Sequence, residues 1–273
     1  MKWFFALNEA CKTFSQYAEM VKVAVHSARQ HTQLVPHFIY DGQDNALTDW
    51  LRGRGVTIIQ RRSFLYDHLA TLAARRQNSD ILSIGAGAFL RVELPALGRE
   101  LGFINETVLY TDCDVLFLEE VEAYLQQTPC QFFAVAPESD PGNYKRMNTG
   151  VMLMNLSSLE GQDLEFRTFI VKHLESLTRS TWDQRAYQRF FRTPRDGRFF
   201  FTPQWQRLPI TLNWKPYWQG YTGAKIIHFH GLKPFQQPQV TSAAFPKKLR
   251  HLARGSYHEL CCLWRSYLEA AQR

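Results

Sequence analysis

Apolar positions fall into short strand-length runs separated by longer amphipathic stretches. Lys2 to Leu7 is a nearly continuous apolar run, and Glu9 to Arg29 carries helical spacing. Leu34 to Tyr40 predicts a second strand, closed by the turn residues Asp41-Gly42-Gln43-Asp44. Ala46 to Arg52 predicts a helix, and Val56 to Ile59 a strand entered through Gly53 and Gly55. Two helices are expected at Tyr66 to Asn78 and Gly87 to Leu101, followed in the segment Val108 to Phe117 by an apolar strand with the Asp pair at its end. Further strand-like pieces lie at Phe132 to Val135, Val151 to Asn155 and Lys225 to Phe229. This order predicts an α/β fold: a mostly parallel sheet with helices on both faces. The expected organisation is one domain over 1–244 and a basic, aromatic helical tail over 245–273.

Composition narrows the class. A chain of 273 residues with 45% apolar and 14% aromatic residues suits one packed core. Its 32 Lys and Arg against 25 Asp and Glu, a net +7, favour anionic partners. The basic residues are scattered and no nucleic-acid motif occurs, so nucleic acid is not an expected partner. No apolar run approaches the ~20 residues of a membrane span, and the first residues are too short an apolar run for a signal peptide. Five cysteines without CxxC spacing argue against a disulfide framework or zinc site and point to a reducing cytosol. The first strand is not followed by GxGxxG, and GxxxxGK[ST] is absent, which argues against NAD-type Rossmann and P-loop chemistry.

Two segments carry candidate chemistry. Asp112-Cys113-Asp114 follows an apolar run, and two carboxylates at the end of a core strand need a partner such as a divalent cation. In open α/β sheets that end of the strands is where ligands bind. In the second segment, Lys225 to Phe235, strand alternation brings His228 and His230 to one face. Gly231 permits a bend, and Lys233 follows it. Imidazole and two carboxylates suit Mn²⁺, and a lysine suits a phosphate. Each segment alone also reads as a solvated turn, or as a core histidine beside a solvated lysine.

Together these segments resemble the family-8 glycosyltransferases, with the resemblance spanning roughly Lys2 to Phe235. It implies a GT-A fold, a UDP-sugar donor, Mn²⁺ (or Mg²⁺) and retention of anomeric configuration. It further implies Asp112, Asp114 and His228 as metal ligands, with Cys113, Gly231 and Lys233 beside the UDP-sugar diphosphate. The chain departs from the family pattern in having one residue between Gly231 and Lys233 instead of two, and Phe235 in place of Trp. Asn148-Thr149-Gly150-Val151 is similar to a family strand, implying that Asn148 lies near the donor sugar and that Gly150 lets backbone approach it. Phe89 to Pro95 resembles a family helix segment, which implies Arg91 over the donor, and Phe5-Ala6-Leu7-Asn8 resembles the family's first strand and turn, which implies Asn8 as a uracil contact. Asp183 and Gln184 match a catalytic pair beneath the reacting carbon, although Thr181 to Gln184 also reads as a helix capping box.

The implied activity is metal-dependent transfer of a hexose, glucose or galactose, from a UDP-sugar to a glycan, glycolipid or protein. A sugar-nucleotide-forming nucleotidyltransferase and a non-catalytic protein binding a UDP-sugar or another anionic ligand are the alternatives. Leu208 to Trp218 sets aromatics between prolines, for sugar stacking or for buried packing. In the tail, Lys247, Lys248, Arg250, His251 and Arg254 accompany a leucine and aromatic stripe. That pattern describes either an interfacial helix on anionic lipid or a terminal helix docked on the fold. A cytoplasmic location is expected, with peripheral contact at the inner membrane face through the tail.

Overall fold

The computed structural model describes residues 1–195 and 198–273. Its strands are β1 (Lys2–Asn8), β2 (Val35–Asp41), β3 (Thr57–Gln60), β4 (Thr107–Thr111), β5 (Val115–Phe117), β6 (Phe133–Pro137), β7 (Met147–Asn155), β8 (Arg192–Arg195), β9 (Arg198–Pro203), β10 (Gln206–Arg207) and β11 (Ile226–His228). Seven of them form one sheet in the order β10-β6-β7-β4-β1-β2-β3. Only β7 runs against its neighbours in this sheet; the other pairings are parallel. The mostly parallel sheet expected from the sequence is therefore borne out.

The reason β1 is apolar throughout is that both its faces are covered. Phe4 and Ala6 enter one hydrophobic core, and Trp3, Phe5 and Leu7 enter the core on the opposite face. Truncating fully buried Phe4 or Phe5 to alanine would cost about 3–5 kcal/mol.

The helices are α1 (Phe14–His31), α2 (Ala46–Arg52), α3 (Tyr66–Arg76), α4 (Asp80–Ala88), α5 (Leu94–Glu100), α6 (Glu122–Gln127), α7 (Leu156–Glu160), α8 (Asp163–Leu177), α9 (Trp182–Phe190) and α10 (Tyr257–Gln272). α2 has the expected bounds, and Asn45 caps it by accepting from Leu47 N (2.8 Å) and Thr48 N (3.3 Å). α1 starts later than expected, because residues 9–13 form a turn closed by Phe14 N to Cys11 O at 3.0 Å. The single helix expected over Gly87 to Leu101 is in fact α4, a 3-10 turn at Leu90–Glu93, and α5. Pro95 in the first turn of α5 lacks the N–H that would continue a helix through it. The stretch Asp80–Glu100 is long and apolar enough to cross a membrane by composition, and 78% of its most apolar window is buried within the protein.

The apolar strand expected before the Asp pair is β4, and it ends at Thr111. β4 stays in the main sheet, whereas β5 leaves it and pairs antiparallel with β11, His228 opposite Val115. At the other end of the chain, α10 buries Tyr257, Leu260, Cys261 and Trp264 in a third core with Met20, Val23 and Ile227. Of the two readings of the tail, the structure shows the docked helix. Lys247, Lys248, Arg250 and Arg254 remain exposed in the segment before it.

Candidate functional site

The carboxyl ends of β1 and β4, one face of α4 and the start of α9 border a cavity of about 610 Å³. Asn8, Arg91, Asp112, Cys113, Asp114, Asp183 and Lys233 all line it. The 3-10 turn that presents Arg91 is anchored by buried Glu93, which accepts from Phe64 N (2.8 Å) and pairs with Arg61 (3.1 Å) and Arg167 (3.3 Å).

Asp112, Asp114 and His228 offer ligand atoms that all lie within 4.8 Å of one another. The β5–β11 register brings them together, and Phe229 N donates to Asp114 O at 2.9 Å to lock it. His228 Nε2 stands 3.4 Å from Asp114 Oδ1 and 3.8 Å from Asp112 Oδ2. Burial lowers the His228 pKa, so the ring is neutral at pH 7. Its Nδ1 lies 3.0 Å from Asn213 Oδ1, an acceptor for a proton held on Nδ1, which leaves a bare Nε2 facing the carboxylates. Asp114 Oδ1 is buried and accepts no hydrogen bond. A lone pair opposed to a carboxylate oxygen is unfavourable without an intervening cation, so this donor set fits a divalent metal.

Lys233 Nζ donates to Asp114 Oδ2 and to Phe229 O. Burial by itself favours the protonated form of Asp114, but the Lys233 ammonium outweighs it and holds the carboxyl well below its usual range. Gly231, at φ +83°, makes the bend before Lys233, and a Cβ there would meet Leu252 at 2.5 Å. Tyr257 Oη donates to Lys233 O at 2.9 Å, so α10 also braces this bend.

Arg91 is the second cation of the site. It lies 4.4 Å over the Tyr110 ring, donates to Thr149 O and to Asp112 Oδ1 (2.5 Å), and pairs with Asp183 Oδ2 at 3.0 Å. Asp183 also accepts from Thr149 Oγ1 at 3.1 Å. Burial pushes the Asp183 pKa up to about 6, against the pull of Arg91. The preceding Trp182 has φ 51°, a left-handed backbone that costs about 1–3 kcal/mol in a non-glycine residue.

Not every sequence expectation survives this geometry. The capping box at Thr181 does not form: its side chain makes no cap bond, and Gln184 is engaged elsewhere. Gln184 Oε1 accepts from Asn148 Nδ2 (3.0 Å), and its Nε2 donates to Glu138 (3.0 Å), behind the cavity wall. His230 lies beside His228 as expected, the rings 5.7 Å apart edge to face, but its Nδ1 sits 2.9 Å from Tyr217 Oη and it is not part of the ligand group. The space left by Gly150 is filled by the His228 ring. The Cys113 thiol donates to Ala6 O at 3.0 Å, and burial pushes its pKa up, so it stays protonated. Asn8 Nδ2 donates to Ser83 O at 3.1 Å.

Asn213, Glu138 and Thr149 were not singled out from the sequence. Asn213 does carry a signal: a lone amide in the apolar stretch Leu208 to Trp214 has to find buried partners.

No family model matches the chain, and no curated protein matches it in sequence. Solved structures share its fold. The glycosyltransferase GlyE of Streptococcus pneumoniae aligns with a TM-score of 0.61 at 15% identity, over 98% of this chain and 63% of that one. The galactosyltransferase LgtC, solved with donor and acceptor sugar analogues, gives 0.59 at 15% identity over 99% and 96%. Mouse xyloside xylosyltransferase 1 gives 0.55 at 15% identity over 84% and 98%. The chain thus spans under two thirds of GlyE and nearly all of LgtC. The expected GT-A fold is borne out, and the match to LgtC is consistent with the family-8 resemblance.

Proposed function

We propose that this protein is a metal-dependent, retaining glycosyltransferase that moves a hexose, glucose or galactose, from a UDP-sugar to a glycan, glycolipid or protein acceptor. The observation that carries the reading is the set Asp112, Asp114 and His228, with ligand atoms within 4.8 Å of one another beside the cavity. The shared fold of GlyE, LgtC and the xylosyltransferase supports it.

The reaction breaks the bond between the anomeric carbon and the diphosphate oxygen, and UDP leaves with the electron pair. Asp112, Asp114 and His228 would hold Mn²⁺ or Mg²⁺, which would supply Lewis-acid stabilisation of the leaving diphosphate. Lys233 adds a fixed positive charge beside it, strengthened by exclusion of water. Asn8 sits at the end of β1 to meet the base, and Gly231 sets the bend under the diphosphate. Arg91 orients Asp112 and Asp183 with one guanidinium. Asp183 lines the cavity and faces the developing positive charge at the anomeric carbon. Gln184 and Asn148 form the floor behind it. Five unpaired cysteines suit a reducing cytosol.

UDP release from a panel of UDP-sugars, with Mn²⁺, Mg²⁺ or EDTA, tests the reading without an acceptor. Metal-dependent release from one donor supports it. No release and no UDP–Mn²⁺ binding would refute it.

A further inference from the structure

We infer that Asn213 is a positioning residue that sets the tautomer of His228, and that the β7 backbone fixes its orientation through a chain of side-chain amides. The inference rests on the metal reading above only for its consequence; the tautomer itself is a property of the protein alone.

The chain of amides begins at groups whose polarity is fixed. A backbone N–H can only donate. Thr149 N donates to Gln184 Oε1 (3.3 Å), and Gly150 N donates to Asn148 Oδ1 (3.2 Å). Each amide therefore turns its oxygen to β7 and its NH₂ elsewhere. Asn148 Nδ2 goes to Gln184 Oε1, and Gln184 Nε2 goes to the Glu138 carboxylate, itself an acceptor. With Asn148 Oδ1 committed as acceptor, Asn213 has to bring its Nδ2 to it, at 3.1 Å. That leaves Asn213 Oδ1 against His228 Nδ1 at 3.0 Å. An amide oxygen only accepts, so Nδ1 keeps the proton and Nε2 is left bare toward Asp112 and Asp114.

Asn213 cannot easily turn to relieve this constraint. It is fully buried, its carbonyl accepts from buried Lys215 Nζ (2.9 Å), and its N–H donates to Ile210 O (3.0 Å). Flipping any amide in the chain would set donor against donor or acceptor against acceptor, away from water. The metal face and the sugar floor thus share one hydrogen-bond polarity, set by two peptide groups of β7.

The test reads the tautomer by ¹⁵N NMR of histidine-labelled protein in EDTA, with His228 identified by its loss in His228→Gln. Isothermal titration with Mn²⁺ alone gives the metal affinity. The wild type is expected to show a protonated Nδ1 and a bare Nε2. Asn213→Ala should shift His228 toward the other tautomer and weaken Mn²⁺ binding about 10–100-fold. Asn213→Asp keeps an acceptor on Nδ1 while setting its other oxygen against Asn148 Oδ1, so it should hold the Nδ1 proton at a cost in stability. A wild-type His228 protonated at Nε2 overturns the inference with no variant required. So does an Asn213→Ala protein with tautomer and affinity unchanged, or an Asn213→Asp protein whose His228 is protonated at Nε2. A wild type with the Nδ1 tautomer but no Mn²⁺ binding would sustain the positioning role while removing the metal-dependent function.

Discussion

Gly150 and His228 occupy one volume: a Cβ on Gly150 would stand 2.0 Å from His228 Cε1. Gly150 sits on β7 and His228 on β11, so the missing side chain of one strand is what lets the ligand ring of the other approach. Gly150→Ala should push the ring away from Asp112 and Asp114. We expect Mn²⁺ binding weakened at least tenfold and stability lowered by about 1–3 kcal/mol from overpacking. Titration calorimetry and thermal melting check both; wild-type Mn²⁺ affinity would refute the steric argument.

Arg91 bridges two carboxylates, the part-exposed one of Asp112 and the buried one of Asp183. Arg91→Ala leaves Asp183 buried without its cation and should cost about 3–5 kcal/mol in denaturant unfolding. Asp183→Asn combined with Arg91→Ala should recover part of that loss, because the stranded charge is gone. A strictly additive double mutant would show that the pair is not coupled.

Asp183 gives a pH signature. Its pKa is raised to about 6 in the fold, so the folded protein binds this proton more tightly than the unfolded chain does. Stability from this group is therefore present below the unfolded carboxylate pKa and is lost as pH rises toward 6. Measured in EDTA, wild type should lose roughly 1–3 kcal/mol relative to Asp183→Asn between about pH 4 and 6. Parallel pH profiles for the two proteins would count against the raised pKa.

Lys233 and a metal compete for the same carboxylate. In EDTA, Lys233→Ala should lower stability by about 1–3 kcal/mol, since Asp114 is left as an unpaired buried charge. Mn²⁺ should then stabilise the variant more than it stabilises wild type. An equal Mn²⁺-induced Tm shift in both would disprove the competition.

The tail braces the site from behind. Tyr257→Phe removes the bond to Lys233 O and should cost about 0.5–1.5 kcal/mol, with weaker UDP binding in the presence of Mn²⁺. Cutting the chain at 244 strips the cover from Met20, Val23 and Ile227, so the truncated protein should aggregate or melt early. Lipid attachment is better tested by charge reversal at exposed Lys247 and Lys248, in vesicle co-sedimentation, than by truncation.

By itself the sequence determined what local patterning can encode. Continuous apolar runs mark strands covered on both faces, as in β1, and an Asp pair directly after such a run marks the strand end where the cavity opens. Helical spacing over Ala46 to Arg52 gave α2, which the Asn45 cap closes within one turn. Tertiary structure decided everything that depends on which distant segments meet. No local rule says that β5 leaves the main sheet to pair with β11, yet that register is what joins Asp114 to His228. Local spacing put His228 and His230 on one face, where their rings do meet, but only the fold decides that His228 faces the aspartates while His230 reaches Tyr217. The capping box at Thr181 was locally reasonable, and it lost because Gln184 finds better-buried partners in Asn148 and Glu138. Asn213 shows the limit most clearly. Its identity is visible in the chain, but its purpose is a hydrogen-bond polarity inherited from β7, and polarity passes only through contacts that the fold creates.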